Sequence, residues 1–454
     1  MNLYKKRIAF LISKQHLIPH GGLGSFAKSF TEMCNRLQWK VDLILDQKPT
    51  NDFSAMVQSL GAGIVCESEG YTYTEHTATY GNSDSANFEK MANFRKSLIK
   101  AFNQNSYDMI VCNTQESMSS VHALYLSEYI PVVFYTHQPS MVNRNSDSKD
   151  VFLKPYHDLY NAHLNFDDIC VGTQSVRNKT NLEKYGAKNV YVLPMPMSER
   201  ELLESSMWTI LKGENVREKV GVLYIGRWEP RKNPEAFLKV MKKCNLPVRI
   251  MTNKNGAAKF EAELQNLQIT DYIIMTEIYG QEKVDFIKSC KVHFNPSYSE
   301  NYPFVFFECL GHMHCVVLDT QDWADNFDPQ YYHITDMKNA ADLIKKLYGQ
   351  PVPHANLQYI VSLDNATDQA WVDFLNNFIG KKSTSNKAKI NLEQTISHEE
   401  FIIKLNRQHL NTEDIVSILG NKHKFNVIYT DNNTYYSKDE NFVPEENESL
   451  LEFG

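Results

Sequence analysis

The sequence predicts an α/β protein with two Rossmann-like domains facing a central cleft, followed by a small α+β unit at the C-terminus. Short apolar segments alternate with amphipathic helical segments over the first 380 residues, a pattern typical of parallel sheets covered on both faces. The alternation occurs once in each half of the chain. A length of 454 residues also exceeds one ordinary domain.

The first half contains six strand candidates, and we assign residues 1–200 to the first Rossmann-like domain. The candidates are RIAFLIS (7–13), VDLIL (41–45), DMIVCN (108–113), PVVFYTH (131–137), DDICVGT (167–173) and NVYVLPM (189–195). After the first of them, residues 25–37 space their apolar side chains at helical intervals.

The second half repeats the pattern, and residues 201–380 form the second predicted domain. Its strand candidates are VGVLYIG (220–226), PVRIMT (247–252), DYIIMT (271–276), KVHFNP (291–296) and HCVVLD (314–319). In open parallel sheets, ligands bind at the carboxyl ends of the strands. The loops that follow these segments are therefore the first places to look for a site.

The C-terminal region has a different character. Residues 381–389 are polar, lack periodicity and read as a linker. Residues 390–438 then contain two short helix patterns with capping residues and a hairpin pattern, which predicts a helix–helix–hairpin unit. Residues 439–454 form an acidic tail that carries six of the acidic residues and no basic ones. Most of the net charge of −7 comes from this tail.

Composition excludes some classes of protein. No segment approaches the ~18 consecutive apolar residues that a membrane-spanning helix needs, so we expect no membrane span. The eight cysteines form no C-x-x-C pairs, and the N-terminal apolar run lacks the features of a signal peptide. These features predict a cytoplasmic protein with reduced cysteines.

Two loops carry residues suited to binding phosphate. Gly21 and Gly22 follow the first strand and precede a helix, where glycines allow close backbone approach and a helix N-terminus favours an anion. Arg227 and Lys232 lie in G-R-W-E-P-R-K-N, after the first strand of the second half. Two cations at the carboxyl end of a strand can neutralise a diphosphate.

A third segment carries two carboxylates. Glu300 and Glu308 are eight positions apart in NPSYSENYPFVFFECL, the first in a loop and the second within a helical pattern. Glu308 stands in an apolar run, where a carboxylate is costly unless hydroxyl or amide groups bind it. The ribose hydroxyls of a nucleotide would serve this purpose.

These three segments, in this order, resemble the retaining glycosyltransferases of the GT-B type, a family that includes glycogen and sucrose synthases and many bacterial hexosyltransferases. The resemblance covers roughly residues 6–380. It implies that Gly21 and Gly22 contact the phosphates of a nucleotide-sugar donor. It also implies that Arg227 and Lys232 bind the diphosphate. The donor is expected to be a UDP-sugar.

The same resemblance assigns three further contacts. Glu300 would hold hydroxyls of the donor sugar, Glu308 would hold the ribose, and His137, at the end of a T-H strand, would contact the sugar. His137, Arg227, Lys232 and Glu300 form the expected catalytic group. Pro303 departs from the family pattern, because it stands where a glycine is usual and has no N–H to offer a phosphate.

We expect no metal and no further cofactor. The chain has no D-x-D motif, and the cations of the phosphate loop can replace a metal at a leaving diphosphate. The resemblance implies retention of configuration. The acceptor then attacks on the face from which the nucleotide departs, and the leaving phosphate takes the acceptor proton.

Three alternatives remain for the acceptor and the role of the protein. The composition is rich in Asn, Lys, Ile and Tyr, as in AT-rich genomes such as those of many bacteriophages. The C-terminal unit faintly resembles a winged helix-turn-helix behind a basic linker. We therefore favour hydroxymethylated cytosine in phage DNA as acceptor, with DNA as partner and the host cytoplasm as location. The alternatives are an enzyme acting on an envelope or capsular saccharide, and an inactive protein that binds sugar nucleotides.

Overall fold

The computed structural model describes a large part of the chain. The described residues are 6–13, 22–49, 51–68, 84–114, 117–118, 120–121, 126–128, 130–136, 169–184, 186–197, 200, 219–278, 280–298, 300, 303–319, 327–352, 355–382, 426–429 and 434–437. They divide into two compact units. One comprises Met1–Pro194 with Ala370–Gly454, and the other comprises Met195–Gln369.

The first unit contains a parallel sheet whose described strands follow the order β3-β2-β1-β4-β5-β6-β7. The strands are β1 Lys6–Ile12, β2 Trp39–Leu45, β3 Gly63–Val65, β4 Met109–Cys112, β5 Val132–Tyr135, β6 Cys170–Thr173 and β7 Val190–Val192. Most of their side chains are buried, as expected for a sheet covered on both faces.

Helices between these strands cover the sheet. They are α1 Gly22–Arg36, α2 Asn51–Ser59, α3 Asp84–Gln104 and α4 Val176–Lys184. In α1, Phe26 and Phe30 pack against Phe10 of β1, with ring centroids 5.7 and 5.2 Å apart. This apolar face matches the stripe that the sequence predicts, although the helix begins at Gly22, within the glycine segment, rather than after it.

The second unit contains another parallel sheet, with the described strands in the order β10-β9-β8-β11-β12-β13. The strands are β8 Val222–Ile225, β9 Val248–Thr252, β10 Tyr272–Thr276, β11 Val292–Asn295, β12 His314–Leu318 and β13 His333–Thr335. The helices are α5 Pro234–Cys244, α6 Lys254–Asn266, α7 Gly280–Ser289, α8 Phe304–Leu310 and α9 Ala340–Tyr348. Two buried apolar clusters pack the helices against the sheet.

The long helix α10, Ala355–Lys382, contributes to both units because the division falls at Gln369. Within the first unit, the buried Trp371 packs on Phe30 and Tyr135, at 4.9 and 5.9 Å between ring centroids. Its indole N–H donates to the carbonyl of Pro194 at 3.0 Å. None of the helices in the described ranges combines the length and the apolarity needed to cross a membrane.

The structure confirms the prediction of two parallel α/β domains and adds two strands that sequence patterns do not reveal. Both β3 and β13 have three residues, which is too short for a periodic pattern. In the C-terminal region, β14 Asn426–Tyr429 and β15 Thr434–Ser437 pair antiparallel. The two helices predicted before them lie outside the described residues.

Candidate active site

The candidate site lies where the strand order of the second sheet reverses. The chain runs outward from β8 through β9 to β10, then returns to place β11 on the other side of β8. Such switch points leave adjacent loops that diverge at the carboxyl ends of the strands and form a ligand crevice. The loops after β8 and β11 are residues 226–233, here called the cation loop, and residues 296–300, here called the glutamate loop.

An ion pair joins the two loops. Lys232 Nζ lies 2.5 Å from Glu300 Oε1, and the side chains are 20% and 6% exposed. These residues are 68 positions apart in the chain and were predicted separately, one for the diphosphate and one for the donor sugar. The fold therefore brings a cation and a carboxylate from both motifs to one place.

Two hydrogen bonds reinforce this connection. Asn233 Nδ2 donates to the carbonyl of Pro296 at 3.2 Å, and the backbone N–H of Tyr298 donates to the carbonyl of Arg231 at 2.8 Å. Asn233 has a φ of 51° and lies between a 3₁₀ turn and α5, a left-handed conformation that asparagine tolerates better than most residues. The chain turns here so that its amide faces the neighbouring loop.

A buried tyrosine contacts the backbone of the cation loop. The hydroxyl of Tyr224 is 3.4 Å from the carbonyls of both Arg227 and Lys232. A Cβ on Gly226 would approach this hydroxyl to 3.2 Å, so a side chain there would have to displace the hydroxyl by a few tenths of an ångström. Burial, together with the charge of Glu300, raises the pKa of Tyr224 above its usual value. The hydroxyl therefore remains a hydrogen-bond donor.

Arg227 has the most exposed cationic side chain of the cation loop. Its side chain is 62% exposed, and Nη2 lies 3.0 Å from Glu229 Oε1. Arg231, in the same loop, approaches the other oxygen of Glu229 at 4.0 Å. Exposed pairs of this kind contribute about 0–1 kcal/mol. An anionic ligand could therefore replace Glu229 as the partner of the Arg227 guanidinium with little loss of interaction energy.

Glu308 lies on α8 and is paired with a lysine that the sequence did not identify. Lys283 Nζ on α7 is 2.7 Å from Glu308 Oε1, and the two side chains are 21% and 10% exposed. No sequence pattern links these positions, because they are 25 residues apart and lie on different helices. The apolar run that drew attention to Glu308 packs in the core of the unit, since Phe307 and Cys309 are buried on either side.

A buried histidine lies on β11 near the site. His293 Nδ1 is 3.0 Å from the carbonyl of Leu223, and because a carbonyl can only accept, Nδ1 carries the proton. Burial lowers the pKa of His293 to about 4, and the positive charge of Lys232 contributes. The imidazole is thus neutral at ordinary pH.

The predicted residues of the first unit are only partly described. Gly21 and His137 lie outside the described residues. Gly22 begins α1, which follows β1 at the point where the order of the first sheet reverses between β1 and β4. β5 ends at Tyr135, two residues before His137. Across the described parts of both units, no group of three or more His, Cys, Asp or Glu side chains is arranged to hold a metal ion.

Residues 208–318 match the sequence profile of the family described as glycosyl transferases group 1. The match includes Arg227, Lys232, Glu300 and Glu308. The chain carries a glycosyltransferase domain. It is therefore an enzyme of the glycosyltransferase class. No curated protein sequence shows a significant match to this chain.

Solved structures of low sequence identity share the fold. The sucrose-phosphate synthase of Thermosynechococcus elongatus is 15% identical, with a TM-score of 0.61 over 83% of this chain and 100% of that one. HepE of Anabaena, in complex with UDP-glucose, is 14% identical, with a TM-score of 0.55 over 84% and 100%. A trehalose-6-phosphate protein of E. coli bound with UDP-2-fluoro glucose is 8% identical, with a TM-score of 0.57 over 81% and 98%. The two parallel-sheet domains of this glycosyltransferase match the GT-B fold.

Proposed function

We propose that this glycosyltransferase moves a sugar from a UDP-sugar to a hydroxyl acceptor, with retention of configuration. Arg227 and Lys232 bind the diphosphate, Glu300 binds hydroxyls of the donor sugar, and Glu308 binds the ribose. Gly21 and Gly22 contact the phosphates, and His137 contacts the sugar. Support for the nucleotide comes from similar folds that contain UDP-glucose or UDP-2-fluoro glucose.

The Lys232–Glu300 ion pair carries this proposal. A diphosphate and the sugar attached to it are adjacent groups, so the residues that bind them must also be adjacent. The pair satisfies this requirement with side chains from separate motifs, at a strand-order reversal where ligands bind in open sheets. Lys232 can bridge Glu300 and the phosphate nearest the sugar, because an ammonium group has three donors.

The reaction exchanges one bond at the anomeric carbon for another. The bond from that carbon to the terminal phosphate oxygen breaks, and the electron pair leaves with UDP. The acceptor oxygen forms the new bond on the same face of the sugar, and its proton passes to the departing phosphate oxygen. Arg227 and Lys232 stabilise the charge that develops on the diphosphate.

The direct test is a panel of sugar nucleotides assayed by release of the nucleoside diphosphate, with wild-type protein and a Lys232→Ala variant. We expect UDP release from one UDP-sugar and a loss of at least about a hundredfold in the variant. Release from ADP- or GDP-sugars alone would contradict the proposed donor. A wild-type protein that binds UDP without turning over any donor would favour the inactive sugar-nucleotide-binding alternative.

For the acceptor, we propose hydroxymethylated cytosine in bacteriophage DNA. Support comes from the sequence of the C-terminal region, where Lys381, Lys382, Lys387 and Lys389 precede the segment that the sequence predicts to form a helix–helix–hairpin unit. A base acceptor would have to leave the duplex stack to reach an active site. An envelope or capsular saccharide is the competing acceptor. Supplying hydroxymethylcytosine DNA should accelerate UDP release, and a saccharide that does so while this DNA does not would reverse the choice.

A further inference from the structure

We propose that Lys283 is a positioning residue that prepares Glu308 for the ribose hydroxyls and so makes the donor site selective for ribonucleotides. This inference rests on the proposed function. Lys283 lies outside the motifs that define the donor site, and it acts through Glu308 rather than through contact with the reacting atoms.

The geometry places Lys283 at the edge of the core. It lies on α7, whose residues Val284 and Ile287 are buried. Its ammonium group lies 2.7 Å from Glu308 Oε1, in a charge-assisted hydrogen bond between side chains that are 21% and 10% exposed. Two helices thus contribute the two members of one partly buried ion pair.

A carboxylate at this position requires a cation. Its neighbours Phe307 and Cys309 are 1% and 0% exposed, and burying an ionised carboxylate without a partner is strongly unfavourable. Lys283 does for Glu308 what Lys232 does for Glu300.

The ion pair is compatible with ribose binding. A carboxylate is an acceptor with about four lone-pair sites on two oxygens, and one ammonium contact at Oε1 uses only part of this capacity. Holding that oxygen restricts the rotation of the carboxylate. Hydroxyl donors of the ribose would then meet an acceptor that needs less reorientation, whereas a nucleotide without these hydroxyls would gain nothing from it.

The test compares binding of UDP and of 2′,3′-dideoxyuridine diphosphate by calorimetry. The wild-type protein should prefer UDP by about tenfold or more, since a site built for hydroxyls rejects analogues that lack them. Lys283→Met should weaken UDP binding by about tenfold and leave the dideoxy nucleotide nearly unaffected, so that the preference disappears. Lys283→Arg should retain it. In a Glu308→Gln background, Lys283→Met should have little further effect.

Lys239→Met provides the control, because Lys239 forms an exposed pair with Glu235 on α5 and is not part of the proposed site. This variant should keep the full preference. If Lys283→Met weakens both nucleotides equally, or keeps the preference for UDP, then Lys283 has only a structural role and the inference is wrong. A wild-type protein that ignores UDP would instead overturn the proposed function, and with it this inference. The wild-type measurement therefore distinguishes the two failures.

Discussion

At the residue scale, the cation loop contains two arginines with different expected roles. Arg227 and Arg231 both approach Glu229, and both are substantially exposed. The carbonyl of Arg231 is used in the hydrogen bond from Tyr298, which any residue at that position could make. The guanidinium of Arg227, in contrast, is a side-chain group that few other residues could replace in the proposed diphosphate site.

Arg227→Ala should therefore lower turnover by about a hundredfold or more, because it removes charge stabilisation from the leaving group. Arg231→Ala is the matched control in the same loop and should stay within about threefold of the wild type. Steady-state rates of nucleotide release measure both effects. Near-normal turnover of Arg227→Ala, or equal losses in the two variants, would contradict the assigned role.

The Lys232–Glu300 pair should also be visible in stability. Lys232→Met leaves Glu300, which is 6% exposed, without its cation, and breaking a buried pair on one side costs about 3 kcal/mol or more. Adding Glu300→Gln should restore part of the loss, because the remaining amide needs no counter-charge. Urea unfolding of both variants measures this. Equal stability of Lys232→Met and the wild type would show that the pair contributes nothing.

Sequence patterns could identify several site residues but not the contacts that these residues make. Arg227, Lys232, Glu300 and Glu308 occur in local motifs, and the loops that carry three of them follow strands that an apolar pattern reveals. Lys283 and Tyr224 belong to no motif. Their roles depend on tertiary contacts to residues elsewhere in the chain or to backbone carbonyls of a folded loop. Such contacts cannot be inferred from local sequence patterns.

At the scale of elements, the short strand β3 depends on a glycine. A Cβ on Gly63 would lie 2.1 Å from Asp42 Oδ1. Asp42 is buried on β2, where its other oxygen accepts hydrogen bonds from Arg7 Nε at 2.6 Å and from the hydroxyl of Tyr107 at 2.9 Å. The carboxylate cannot move away without breaking these bonds.

Gly63→Ala should consequently destabilise the first unit by about 2 kcal/mol or more, since strain or a lost charge-assisted bond is unavoidable. Gly349→Ala is a suitable control, because its Cβ would come no closer than 3.5 Å to the carbonyl of Lys346. Thermal unfolding should show a clear decrease for the first variant and little change for the second. A stability for Gly63→Ala equal to that of the control would argue against this packing.

The second sheet and its helices should lose stability in acid. Burial lowers the pKa of His293, on β11, to about 4 and that of His312, between α8 and β12, to about 3. The unfolded chain, with histidines near pKa 6.5, therefore binds more protons than the folded chain as pH falls below about 6.5. For each of the two histidines, the free energy of unfolding should decrease by about 2 kcal/mol between pH 7 and pH 5.

His293→Phe should flatten this dependence. The variant loses the hydrogen bond to Leu223 at every pH, so it should be less stable than the wild type at pH 7. Between pH 7 and pH 5, however, it should lose about 2 kcal/mol less than the wild type does. The measurement is the free energy of unfolding of both proteins at pH 7 and pH 5. An equal loss of stability in the variant and the wild type would mean that folding does not lower the pKa of His293.

At the scale of the whole molecule, the alternation of strands and helices was sufficient to predict two parallel sheets, because buried parallel strands leave a continuous apolar pattern. β3 and β13 were missed since three residues carry too little pattern. The contacts between residues 195–197 and α10 could not be assigned from sequence either, although residues 367–380 carry an amphipathic helical pattern. Their connections, such as the backbone N–H of Met197 donating to Asp364 at 2.7 Å, are long-range contacts.

Catalysis without a metal ion is a prediction about the activity of the molecule as a whole. If Arg227 and Lys232 supply the positive charge that the leaving diphosphate needs, turnover should persist in excess EDTA. The measurement is nucleotide release before and after exhaustive chelation, with Mg²⁺ and Mn²⁺ added back. Complete loss on chelation that either ion reverses would show that a metal, and not these side chains alone, stabilises the leaving group.

The DNA hypothesis makes a separate prediction for residues 383–454. A shortened chain that ends at Lys382 retains all described strands of both parallel sheets and helix α10 in full, so it should fold and still bind UDP. If the acceptor is DNA, the C-terminal region should supply phosphate contacts through its lysines. Such contacts release counterions, and binding should then weaken steeply as salt rises.

Fluorescence anisotropy with a DNA duplex at two salt concentrations compares the full and shortened chains. The full chain should bind at low salt and lose about tenfold or more in affinity at the higher concentration. The shortened chain should lose both the affinity and the salt dependence while its affinity for UDP is unchanged, because every donor contact proposed here precedes residue 309. A full chain that ignores DNA at low salt would end the DNA hypothesis, and the saccharide acceptor would then be the one to pursue with the same UDP-release assay.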